Sequence, residues 1–201
     1  GMRWNGLLCP KSIRKSTRTQ KRKKGAIGLT VVVFGAMFLI AGYFFMVVMP
    51  LKLIQMNKMT STLDNATASA VTLIDEDLVR TQGKVEIRAT EAEEAVYAII
   101  AEAYDLTLIG HGVKFKPNQK SELAELPYVQ VKVVNVNEAA GEVKVVTMTE
   151  ADGTKDNVTV DASSVIVHVN IKFKPTILVF DKGMELSRTA VSEVRIGTTN
   201  D

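Results

Sequence analysis

Few residues in this chain are of types that do chemistry, and their spacing argues against most of it. His111 and His168 are the two histidines, and Cys9 is the single cysteine. None stands at ligand spacing from another, so no zinc-type site can be assembled from neighbours in sequence. The G-x-S-x-G, P-loop and H-E-x-x-H patterns are all absent. Asp75, Glu76 and Asp77 form an acidic triplet. A calcium loop needs oxygens at alternate positions and a central glycine, so the triplet reads as the solvated end of a helix. Glu91, Glu93 and Glu94 fall where a helix should begin, and acids there favour the helix dipole without any catalytic role. His168 alternates with apolar residues along a strand pattern and reads as solvated. Asn65-Ala-Thr67 and Asn157-Val-Thr159 match glycosylation sequons, which would mean little in a bacterium. The expectation is a protein that is not an enzyme, with no catalytic, cofactor-binding or metal-binding constellation.

Organisation comes instead from residues 21–51, KRKKGAIGLTVVVFGAMFLIAGYFFMVVMPL. A basic cluster, Lys21, Arg22, Lys23 and Lys24, runs into an apolar segment that is uncharged from Gly25 to Leu51. A bilayer core is ~30 Å thick and takes roughly 20 apolar helical residues. Gly25 to Met49 would rise about 37 Å as a helix, enough to span with some tilt and too long for a secretory h-region of roughly 7–15 residues. Residues 1–24 hold nine Lys/Arg and no Asp or Glu. By the positive-inside rule this cluster is a topology signal that keeps the N-terminus in the cytoplasm. Of 25 basic and 22 acidic residues in all, 16 and 22 then remain beyond the leader. A net charge of +3 therefore combines a basic tail with an acidic body. Beside an apolar helix, the basic tail points to the lipid bilayer as partner, with no nucleic acid expected. Cys9 lies on the cytoplasmic side, so the rest of the chain has no disulfide and must hold together by packing. That weakly favours a bacterial cell surface over a small disulfide-rich secreted domain.

Within the apolar segment, Gly28, Gly35 and Gly42 recur every seven residues. Small residues on one face let helices approach in lipid, a candidate packing seam. Tyr43, Phe44 and Phe45 fall near the outer end, where aromatics gather. Beyond Pro50, apolar residues at Leu53, Met56, Met59, Leu63, Ala66, Ala70, Leu73 and Ile74 predict an amphipathic stalk helix reaching about residue 80. Thr81–Gly83 breaks it, and Val85 and Ile87 suggest a short strand. Thr90 with Glu93 fits a capping box, opening a helix with Ala92, Val96, Ile99, Ile100 and Ala103 on one face. The remainder alternates as strands over 128–136, 143–148, 158–160, 165–173 and 184–196. The expected fold is α+β: a long N-terminal transmembrane-plus-stalk helix, then a small antiparallel sheet domain of four or five strands with one packed helix. The expected divisions are a leader at 1–24, a transmembrane helix at 25–49, a stalk at 50–80 and a head at 81–201.

Two stretches together resemble a known family. The leader ending Lys23-Lys24-Gly25, followed by Ala-Ile-Gly-Leu-Thr and a long apolar helix, resembles the class III leader of prepilins. The run VIVHVNIKFKPTILVFDKGMELSRTAVSEVRI resembles the closing strands of TadE-like and TadG-like proteins of tight-adherence (Tad/Flp) pili. The resemblance implies cleavage by a prepilin-type peptidase between Gly25 and Ala26. It also implies other pilin or pseudopilin subunits as partners, and a place at the cell membrane or in a surface pilus. Many members carry Glu at the fifth mature position, where this chain has Thr30, which supplies no charge partner in lipid. The function implied is a minor pseudopilin or pilus-assembly subunit. The alternative is a single-pass surface binding protein.

Overall fold

A computed structural model describes residues 17–110, 114–175 and 183–194, with side chains described from Gly28 onward. The chain divides into two units, with the boundary after Leu51.

In the first unit, helix α1 spans Thr17–Tyr43 and passes into a π-helical turn, Phe44–Val48. Pro50 explains the turn. It has no N–H to give the Met46 carbonyl, and its ring crowds that carbonyl. The helix widens instead, and the Met49 N–H reaches back five residues to the Phe44 carbonyl. Helix continues from Gly28 to Val71, long and apolar enough to cross a membrane. None of its most apolar window is buried against protein.

The second unit has the α+β layout expected. Helix α2, Met49–Val71, buries Met59, Leu63, Ala66, Thr67 and Ala70. These recur at spacings of three and four, one face of a helix. Helix α4, Ala89–Ala103, buries Ala92, Val96, Tyr97, Ile100 and Ala101. Both faces join one core with Val165, Val167, Val169, Ile171 and Phe173. The stalk's apolar stripe is therefore covered by its own head from Met59 onward.

Three local expectations are corrected. The helix predicted to reach about residue 80 ends at Val71, where Ile74 bridges Ile87 and the Asp75 N–H bonds the Glu86 carbonyl at 2.9 Å. A separate helix α3, Glu76–Gln82, follows. Asp75 starts it: its Oδ1 accepts from the N–H groups of Asp77 (3.1 Å) and Leu78 (3.2 Å), an N-cap rather than a solvated acid. Helix α4 is not opened by Thr90. Its N-cap is Arg88, whose backbone is held extended by an N–H bond to the Leu73 carbonyl, and Arg88 pairs with Glu91 at 2.8 Å.

The strands also divide differently from a single sheet. Strands β1 (Leu106–Ile109) and β2 (Lys114–Pro117) form one hairpin. Strands β4 (Lys144–Thr149) and β5 (Lys155–Val160) form another. A third, three-stranded antiparallel sheet lies between the helices and the β4–β5 hairpin. Its order is β3 (Tyr128–Val134), β6 (Ser164–Phe173), β7 (Met184–Glu193). Odd residues of β6 face the helices. Ile166, on its other face, joins Val136, Met148 and Val160 in a second core beneath the β4–β5 hairpin. The central strand is thus covered on both sides, giving helix, sheet and hairpin layers.

Candidate functional site: the apolar helix and a polar cleft

The apolar helix is the largest feature with no partner among the described residues. Its large side chains from Leu29 to Met49 are exposed, save the half-buried Val48. A Cβ added at Gly28, Gly35 or Gly42 would meet nothing within 4 Å. The glycine face is therefore open. The leader residues Lys21, Arg22, Lys23 and Lys24, with Gly25 and Ala26, fall within the backbone of α1. Their side chains lie outside the described residues.

In the second unit a cleft of about 690 Å³ opens between residues 82–86 and the segment after β3. Asn135 builds one corner. Its side chain acts as a strand neighbour for Ile87: Oδ1 accepts from the Ile87 N–H at 2.8 Å, and Nδ2 donates to the Ile87 carbonyl at 3.2 Å. Ser163 is a fully buried hub behind it. Its hydroxyl accepts from the Val136 N–H at 3.1 Å and donates to the Val85 carbonyl at 3.0 Å. Lys144 donates to the Asn135 carbonyl at 2.6 Å and pairs with Glu142 at 3.4 Å. The Glu142 carboxylate accepts from the Asn137 N–H at 2.9 Å. That bond, with Lys144 beside it, holds the Glu142 pKa below its usual value. The cleft thus offers charged and amide groups to a polar guest, with no activated nucleophile in its lining. Sequence reasoning missed Asn135 and Ser163 because their partners lie 48 and 78 residues away in the chain. No spacing rule signals such pairs.

His168 is corrected outright. It is 1% exposed, not solvated. Its Nδ1 lies 2.9 Å from the Thr189 hydroxyl and its Nε2 3.4 Å from the Ser187 hydroxyl. Gln130, opposite it in register, accepts from the Thr149 N–H at 2.7 Å, and the Tyr128 hydroxyl donates to the Thr149 carbonyl at 3.1 Å. These bonds fasten the end of β4 over the polar part of the sheet. His111 lies outside the described residues. Among the described residues no three His, Cys, Asp or Glu side chains come together in a metal-binding group.

Tyr104 is the polar anomaly of the core. Its hydroxyl is buried without a hydrogen-bond partner among the described residues, and Lys58 sits 5.1 Å from its ring centre. Burial pushes its pKa up to about 12. The nearby Thr62 hydroxyl offsets part of the rise without meeting hydrogen-bond geometry, and Glu122 adds to it. Because the folded pKa is raised, the unfolded chain loses this proton first. Stability is complete below about pH 10 and falls as pH climbs toward 12. Tyr104→Phe is expected to leave neutral-pH stability unchanged or raise it by up to about 1 kcal/mol. It should also flatten the alkaline loss, as read from thermal unfolding at pH 7 and pH 11.

The chain matches no family model, no curated protein and no solved structure.

Proposed function

We propose that the protein is a minor pseudopilin or pilus-assembly subunit of TadE-like type, serving a bacterial Tad/Flp-type surface filament. One observation carries the reading. A helix able to span a membrane, with no protein covering its apolar window, directly follows a basic, acid-free leader. In this reading the helix holds the subunit in the cell membrane, with the N-terminus cytoplasmic and the head outside. The open Gly28, Gly35 and Gly42 face is where other pilin or pseudopilin helices approach, and a prepilin-type peptidase cuts between Gly25 and Ala26. The role is structural rather than catalytic. Intact-mass measurement of the protein from its native membrane tests processing. A species matching Ala26–Asp201 is expected, and an uncut chain removes the prepilin reading. Normal pili in a strain lacking the protein would remove the assembly role.

A second reading is favoured by the cleft beside Asn135: a single-pass surface protein whose head takes an external ligand. It requires saturable binding to the head that is lost when Lys84 and Lys144 are replaced by Gln.

A further inference from the structure

We propose that lipid contact does not stop at Pro50. Leu53, Ile54 and Met56 lie in the interfacial layer of the membrane surface. This rests on the reading of the apolar helix as a membrane span.

The three side chains are 54%, 62% and 49% exposed, and the buried face of α2 starts only at Met59. At ~100° per residue, Leu53 and Ile54 are separated by about 100° and Ile54 and Met56 by about 200°. Leu53 and Met56 are then only about 60° apart, so the three side chains fall within an arc of about 160°, one face of the helix. One apolar face on a helix that also carries lysines suits a segment lying at the membrane surface with that face toward the acyl boundary.

Length points the same way. Large exposed apolar side chains recur from Leu29 to Met56, a rise of about 41 Å at ~1.5 Å per residue. The hydrocarbon core alone is ~30 Å, and the bilayer with its headgroup layers is about 40–45 Å. Fitting the whole stretch into the core would take a tilt of roughly 43°, against an average near ~20°. The full bilayer accommodates it without unusual tilt, and the last turn then falls among the headgroups. Lys52 opens that turn, while Lys58 beyond it is turned toward Glu122 and the Tyr104 ring. Lysine lays its alkyl stem on apolar surface and keeps its ammonium at the polar boundary, where phosphates lie. Covalent continuity with the span supplies the same medium one turn further along the chain.

The test uses the full chain carrying Cys9→Ser, with one of Leu53→Cys, Ile54→Cys, Met56→Cys, Ile40→Cys or Asp64→Cys added. Each variant carries an environment-sensitive fluorophore. The protein is placed in phosphatidylcholine–phosphatidylglycerol vesicles holding nitroxide at the headgroup or at mid-chain. Expected at 53, 54 and 56 are blue-shifted emission and headgroup-nitroxide quenching several-fold above position 64, with mid-chain quenching weaker. Position 40 should show the reverse order. Quenching at 40, with water-like emission at 53, 54 and 56, overturns the inference and leaves the span intact. Blue-shifted but unquenched emission at the three sites also overturns it, because protein then covers them. An unquenched position 40 overturns the span reading and this inference with it.

Discussion

Leu63→Ala is expected to cost the second unit about 2–5 kcal/mol, the range for emptying a leucine site in a close-packed core. Leu63 is 1% exposed and lies in the cluster that α2 shares with Val96, Ile100, Val167 and Val169. The polar ties between α2 and its surroundings cannot make up the loss. Lys58 and Glu122 approach only to 3.9 Å with both side chains well exposed, a pair worth about 0–1 kcal/mol. The Ser192 hydroxyl donates to the Thr67 hydroxyl at 2.8 Å, one neutral hydrogen bond of about 1 kcal/mol net. Denaturant unfolding and amide exchange along α2 and β6 provide the readouts. Asp64→Ala, one residue away on the exposed side, should change stability by no more than about 0.5 kcal/mol. If the two variants behave alike, α2 is not packed on the sheet as described.

Phe38→Lys combined with Ile40→Lys should release the protein from membranes. Each lysine at the centre of a span costs about 2.5–3.5 kcal/mol on the insertion scale, and the Leu, Ile, Phe and Val side chains contribute only roughly −0.3 to −0.6 kcal/mol apiece. Both positions are exposed in the middle of the apolar stretch, so no neighbour in the chain can shelter the charge. The double variant loses about 6 kcal/mol of insertion free energy, comparable to all that the stretch supplies. Alkaline carbonate extraction should move it from pellet to supernatant, while denaturant unfolding of the second unit stays as in the parent. Retention in the pellet would contradict a membrane role for this helix.

The parts legible in the sequence were those whose cause is local. An uncharged apolar run, a three-and-four spacing from Met59 to Ala70 and the alternation from Val165 to Phe173 each express one element's own periodicity. From them the α+β layout follows. What could not be read depended on partners far along the chain. His168 sits at a polar position of an alternating strand, which normally means water. It is buried because Gln130 and Tyr128 pin the β4–β5 hairpin over that face. The early end of α2 has the same origin. Thr72 and Leu73 carry no breaker signal, yet the chain leaves the helix to bridge Ile74 with Ile87. Thr90 and Glu93 satisfied a capping pattern, but the Arg88 backbone was already committed to Leu73. Asn135 and Ser163, which shape the cleft, show no pattern because both work through partners far along the chain.

The order in which the core is completed has a cost during synthesis. The buried face of α2 ends at Ala70, while the strand that shares its core, β6, begins at Ser164. At about 5–20 residues per second, α2 waits roughly 5–20 s before β6 is made. β7, which must pair with β6, follows later still. For that interval Met59, Leu63 and Ala66 have no native partner on that side, beside a segment already prone to associate with lipid. Anything that shields nascent apolar chain should matter more for this protein than for one whose helix meets its neighbours early. Slowed elongation between residues 70 and 164 should therefore lower the folded yield without altering the stability of the molecules that do fold.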